Sequence, residues 1–305
     1  MRRENLGKRQ KSLTQVRKDV DWQRFVSFNF VQKKEHGIME RKLERNNFKK
    51  NFLKEIIMRL DFQGVLQAEM EKILIKVKPY LKEKAFNRYN EKINNQAVIE
   101  GISIKEATSQ IVYSFMNENS GYTLDMSTTS IVLSVKSVGY SPFEAYSAIF
   151  SYVASVYIKE IDFFTVTRFG FRKINFCFIK NLEQIGTYFE SKYYGIEEPI
   201  SEFDIGSVNR TSRLSDGKKN VNLRYIIEQG EINQDTYFKI TLDSDIYSTD
   251  ENTINHILGE RSELAAINDI LFAIYCGAIT EHFADILLSE GDNIPESLVG
   301  VENNE

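Results

Sequence analysis

Two arginines, a glycine and two aspartates carry most of the chemistry this sequence offers. The run Phe163–Ile179 alternates as a long strand, with Val166, Arg168, Gly170, Arg172, Ile174, Phe176 and Phe178 on one face. Arg168 and Arg172 flank Gly170 on a face that is otherwise apolar, and a guanidinium is costly to bury without a partner. The run Leu242-Asp243-Ser244-Asp245 sets two carboxylates on one face of another strand. Three chemistries fit these residues. Arg–carboxylate pairs would fix strand register. An anionic ligand would sit at Arg168 and Arg172, with Gly170 allowing close approach. A cation would sit at Asp243 and Asp245, although two acids fall short of a coordination set.

Other catalytic signatures are missing. The chain has no phosphate-binding Gly-rich loop, no dinucleotide fingerprint after a strand, no nucleophile elbow and no His-Glu-x-x-His. His36 lies near the N-terminus, and His256 and His282 lie far apart on the last helical segment, without a nucleophile or acid at a telling spacing. Cys177 and Cys276 cannot form a zinc site and read as small buried hydrophobes. No catalytic residue, metal or cofactor is expected, and the pattern points away from an enzyme.

A second candidate surface is electrostatic. Residues 1–50 carry 15 Lys/Arg against 6 Asp/Glu, and the remaining residues carry 24 against 37. A basic arm therefore precedes an acidic body. Arg2, Arg3, Lys8, Arg9, Lys11, Arg17 and Lys18, followed by Trp22, would follow a phosphate backbone and stack on bases. The alternative is an arm that folds back on its own body or on a second copy. Met39 lies just upstream of the first convincing strand, so a start there would omit most of the arm.

These residues need elements to hold them. Phe52–Phe62 alternates, with Ile56, Met58, Leu60 and Phe62 on one face; Glu55, Arg59 and Asp61 lie on the other. Gly64–Tyr80 follows at helical spacing, closed by Pro79. Residues 81–105 are ambiguous. Three short strands lie within Ala107–Val138. Ser141-Pro142-Phe143-Glu144 then reads as a capped helix start for Pro142–Glu160. From Phe163 the order restarts with a strand and a helix near Leu182–Ser191. Three more strand-like runs follow, among them Val221–Ile227 and Phe238–Ile246. A closing helix spans roughly Thr253–Leu288, with Gly259 as a break. Strand, helix, three strands, helix, twice over, predicts a duplicated α+β domain with mostly antiparallel sheets packed by helices.

The expected organisation is a basic arm over 1–47, one duplicated domain over 48–288 and an acidic, frayed tail over 289–305. The halves would be about 48–160 and 161–288. Within the arm, Phe25–Phe30 can form a short strand. The sequence has 42% apolar and 27% charged residues, the balance of a globular protein. No run reaches the ~18 apolar residues of a membrane helix. With two cysteines and no signal-peptide core, a cytoplasmic location is expected.

Several segments together resemble a sporadically distributed bacterial and archaeal family of unknown function. Asn51–Phe62 resembles its opening strand, and Val166-Thr167-Arg168-Phe169-Gly170-Phe171-Arg172-Lys173-Ile174-Asn175 is similar to its central Arg-x-Gly-x-Arg strand. Leu242-Asp243-Ser244-Asp245 resembles its Leu-Asp-x-Asp strand, and Ala278-Ile279-Thr280-Glu281 the end of its last helix. The resemblance spans about residues 46–288, and Lys173 departs from it where an aromatic is common. It implies no activity. The patchy distribution of such genes implies a link to phage defence or stress.

The sequence thus points to a non-enzymatic binding module for another protein or a second copy. The first alternative is a small anionic ligand at Arg168 and Arg172; the second is nucleic acid on the arm.

Overall fold

The computed structural model describes residues 43–100, 103–136, 142–194, 206–232, 234–291 and 293–303, with backbone alone over 95–100 and 103–108. The Phe25–Phe30 strand and the Ser141 cap lie outside them. The chain forms an α+β fold around one large antiparallel sheet. Its strands are β1 Lys50–Asn51, β2 Leu53–Gln63, β3 Arg88–Glu100, β4 Ser103–Asn117, β5 Tyr122–Met126, β6 Ser130–Lys136, β7 Thr165–Ile179, β8 Ser207–Ser215, β9 Asn220–Ile232, β10 Asp235–Ser248, β11 Leu298–Val299 and β12 Glu302–Asn303. The helices are α1 Met70–Glu83, α2 Phe143–Glu160, α3 Ile185–Tyr188, α4 Ser191–Tyr194, α5 Glu251–Gly259, α6 Arg261–Ala278 and α7 Glu281–Leu288.

Strand order across the main sheet is β3-β4-β5-β6-β2-β7-β10-β9-β8, with β2 and β7 antiparallel at the centre. Counted outward from that pair, β6, β5, β4 and β3 lie on one side and β10, β9 and β8 on the other. Each set is an antiparallel meander joined by short connections, as sequential strands favour.

Alternation decides which face each side chain takes. On the first face, Ile56, Met58, Leu60 and Phe62 of β2 are buried beside Phe169, Phe171, Cys177 and Ile179 of β7. Helix α2 packs there through Phe143 and Tyr146 on Phe171, Phe150 on Phe169 and Tyr157 on Phe62. Helix α6 adds Tyr275, stacked on Phe52 at 4.9 Å. Phe52 is fully buried and also meets Phe189 and Phe283, which ties the first strand to the last helices.

The second face lies outside that core. Ile57, Val132, Ile174, Phe176 and Ile226 sit there half-buried, none of them part of the core cluster. The apolar side of β7 read from the sequence is thus this open face, and the helices cover its opposite side.

Five expectations need correction. Pro79 lies inside α1 instead of closing it. The carbonyl it leaves without an amide partner belongs to Ile75, an exposed residue. The ambiguous region 81–105 contains the whole of edge strand β3, a fourth strand where three were expected, and its described side chains Arg88–Asn94 are exposed and so carry no burial alternation. The helix near Leu182–Ser191 is a 3-10 turn followed by the single turns α3 and α4. The closing helix is three helices: Gly259 ends the first, and Thr280 caps the third by accepting from the Phe283 amide at 3.2 Å. The tail is docked, not frayed. Leu298 and Val301 are buried, β11 pairs with the end of β7, and β12 pairs with β1. Among the described residues no helix is long and apolar enough to cross a membrane.

Candidate functional site: an ion-pair lattice on the open sheet face

The register of β7 against β10 brings the five predicted residues together. Asp245 lies opposite Arg172 and Asp243 opposite Ile174, so both carboxylates share the open face with both arginines. Arg172 reaches diagonally along the strand and grips Asp243 with two parallel hydrogen bonds. Its Nε and Nη2 each donate at 2.7 Å to a separate carboxylate oxygen. This fork is the strongest geometry available to the two groups.

Arg168 leans in the same direction. Its Nη2 donates to Asp245 at 3.2 Å, and its Nη1 lies 3.7 Å from Asp61 on β2. To do so, it lies across Gly170. A Cβ on Gly170 would stand 2.9 Å from both terminal nitrogens of Arg168. Close approach at Gly170 is thus made by the guanidinium of its own neighbour. The same guanidinium lies 5.1 Å from the ring centre of Tyr247, the residue opposite Gly170.

Asp61, Arg224 and Tyr247 complete the site and were not singled out from the sequence. Arg224 on β9 stands 3.7 Å from Asp243, which therefore faces two guanidinium groups. Each of the three occupies the polar phase of an alternating strand. That was the available signal, but such positions are usually only solvated.

The electrostatics differ between the two aspartates. Hydrogen bonding to Asp243 raises the Arg172 pKa further above its already high value. Burial pushes the Asp245 carboxyl up, against the opposite pull of Arg168 and Arg172. Asp243 is itself buried, whereas Arg168, Arg172 and Arg224 keep about a third or more of their side chains in water. The lattice is a flat, half-wet row of alternating charges across β2, β7, β10 and β9.

Lys173 points to the covered face. Its ammonium donates to Asn268 of α6 at 2.6 Å and is pushed down to about 7 by burial, with a further push from Arg45. Arg45 also binds α6, at the Asn268 carbonyl and the Asp269 carboxylate. The end of the predicted arm is therefore fixed to the body. Arg2, Arg3, Lys8, Arg9, Lys11, Arg17, Lys18 and Trp22 lie outside the described residues.

Both cysteines are buried, and burial raises both thiols, Cys276 to about 12. His256 is mostly exposed, 3.6 Å from Glu263. His282 lies against Tyr188. Among the described residues no three His, Cys, Asp or Glu side chains gather as a metal-ligating group. No family model and no curated protein matches this chain.

Proposed function

We propose that the protein is a binding module that recognises another protein, or a second copy of itself, through the open face of the sheet. One observation carries this reading: the alternating Asp61–Arg168–Asp245 and Arg172–Asp243–Arg224 row lies at the centre of a sheet face outside the core. Half-exposed ion pairs contribute little to stability. An ordered row of both signs is suited to selecting a complementary surface and steering its approach. The neighbouring Ile57, Val132 and Ile174 supply a modest apolar area beside it.

An anionic ligand at Arg168 and Arg172 would have to compete with Asp245 and Asp243 for the same donors, so the interaction reading is preferred. The three-strand meanders β6-β5-β4 and β10-β9-β8 on either side of β2 and β7 support descent of the halves from one duplicated unit, with β3 as an extra strand on the first side. A role in phage defence rests on the family resemblance.

The test is site-specific photo-crosslinking in the native host. Probes at Thr123 and Ser134 sit on the open face, and a control probe at Lys72 sits on the outside of α1. A discrete crosslinked species from the open-face probes, lost on Arg172→Glu, is the expected result. Equal crosslinking from Lys72, or none from the open face, overturns the reading.

A further inference from the structure

A separate groove of about 560 Å³ opens on the helix-bearing side of the sheet, beside edge strand β8 and on the reverse face of β9 from Arg224. Its size falls within the roughly 300–1,000 Å³ typical of small-molecule sites. Edge strand β8 forms one wall; α4 and α6 form the other. Leu223 and Tyr225 of β9 line the base, and Ile270, Ala273 and Ile274 of α6 line one side. Tyr193 stacks on Tyr225 at 4.9 Å, and its hydroxyl leans toward Gly277 of α6.

The charge of this groove runs against the rest of the body. Beyond residue 50 acids outnumber bases 37 to 24, yet among the described residues the lining contains Lys192 and Arg210 and no carboxylate. Among the described residues neither cation forms an ion pair; Lys192 instead sits 4.9 Å from the ring centre of Tyr193. Ser212, opposite Leu223, adds a hydroxyl group on the same wall. The buried Tyr225 hydroxyl has no hydrogen-bond partner, an unmet donor beside the groove. An apolar base, an aromatic pair and two cations without an ion-pair partner among the described residues match one chemical class.

We infer that this groove binds an amphipathic organic anion, with its apolar body on Leu223, Tyr225 and Ala273 and its acidic group toward Lys192 and Arg210. The site shares no residue with the ion-pair lattice, so the two readings stand or fall separately.

The test uses the full chain and the fluorescent anion anilinonaphthalene sulfonate, titrated by fluorescence and by calorimetry below the thermal transition. One saturable site is expected, displaced by decanoate but not by decanol at equal concentration. Ala273→Phe, which fills the groove, and the double variant Lys192→Glu with Arg210→Glu should each weaken binding by about tenfold or more. The charge variant alters exposed residues and keeps the test valid should Ala273→Phe fail to fold. Absence of dye binding, equal displacement by decanol, or unchanged affinity in the folded charge variant overturns the proposal.

Discussion

The guanidinium of Arg168 rests on Gly170, with both terminal nitrogens 2.9 Å from the place a Cβ would occupy. The glycine is therefore the seat that lets Arg168 reach Asp245 on one side and Asp61 on the other. Gly170→Ala should displace that side chain and weaken both contacts. Because the pairs are half-wet, the cost should be about 1 kcal/mol or less. A double-mutant cycle with Arg168→Met should show that most of the loss disappears once the arginine is gone. Full additivity of the two changes would contradict this role for Gly170.

The two aspartates should respond differently to neutralisation. Asp243→Asn breaks the two-pronged bond to Arg172 and leaves two arginines facing a neutral amide, a loss of about 1–3 kcal/mol. Asp245→Asn removes a carboxylate whose desolvation already opposes its ionisation, and should stay within about 0.5 kcal/mol of the parent. Urea unfolding at pH 7 measures both, and equal losses would refute the assignment.

Lys173 gives the protein a pH dependence in the alkaline range. Burial pushes its ammonium down to about 7 in the folded state, from the ordinary lysine value of 10.5. Between those values the unfolded chain binds more protons than the folded one, so stability rises with pH across that window. Below about 7 the full destabilisation is present. Lys173→Met should flatten the slope of stability against pH from 7 to 10, whatever constant cost follows from leaving the Asn268 side chain without its donor. An unchanged slope would show that another group governs it.

Gly64 tolerates no side chain. Its φ is +92°, and a Cβ would stand 1.9 Å from the carbonyl oxygen of Phe163, on the connection entering β7. Gly64→Ala should cost at least about 2 kcal/mol in chemical denaturation, through backbone strain and displacement of that connection. A loss below about 0.5 kcal/mol would show that this turn readily yields.

The C-terminal segment should behave as part of the fold. Ending the chain at Pro295 removes buried Leu298 and Val301, the β11 pairing on β7 and the Lys54–Glu302 ion pair. Two apolar side chains at this burial correspond to about 2–4 kcal/mol. A thermal melt of the shortened chain that matches the full chain would return this segment to the status of a free tail.

The sequence by itself determined the order of elements and the phase of the long strands. Periodicity is a local property: Ile56, Met58, Leu60 and Phe62 alternate whatever lies above them, and the Arg168–Gly170–Arg172 spacing places three residues on one face without a fold. Tertiary structure decided which face the helices cover, because β7 is largely apolar on both sides and alternation alone cannot choose between them. It also decided the partners of the arginines. Asp243 and Asp245 lie some 70 residues away along the chain, and only the β7–β10 register sets Arg172 on Asp243. Edge strands β3 and β8 stayed illegible because most of their described side chains are solvated on both faces, leaving no alternation in burial to read. The groove was invisible for a related reason. Lys192, Arg210, Tyr225 and Ala273 come from four elements and meet only after β8, β9, α4 and α6 have packed.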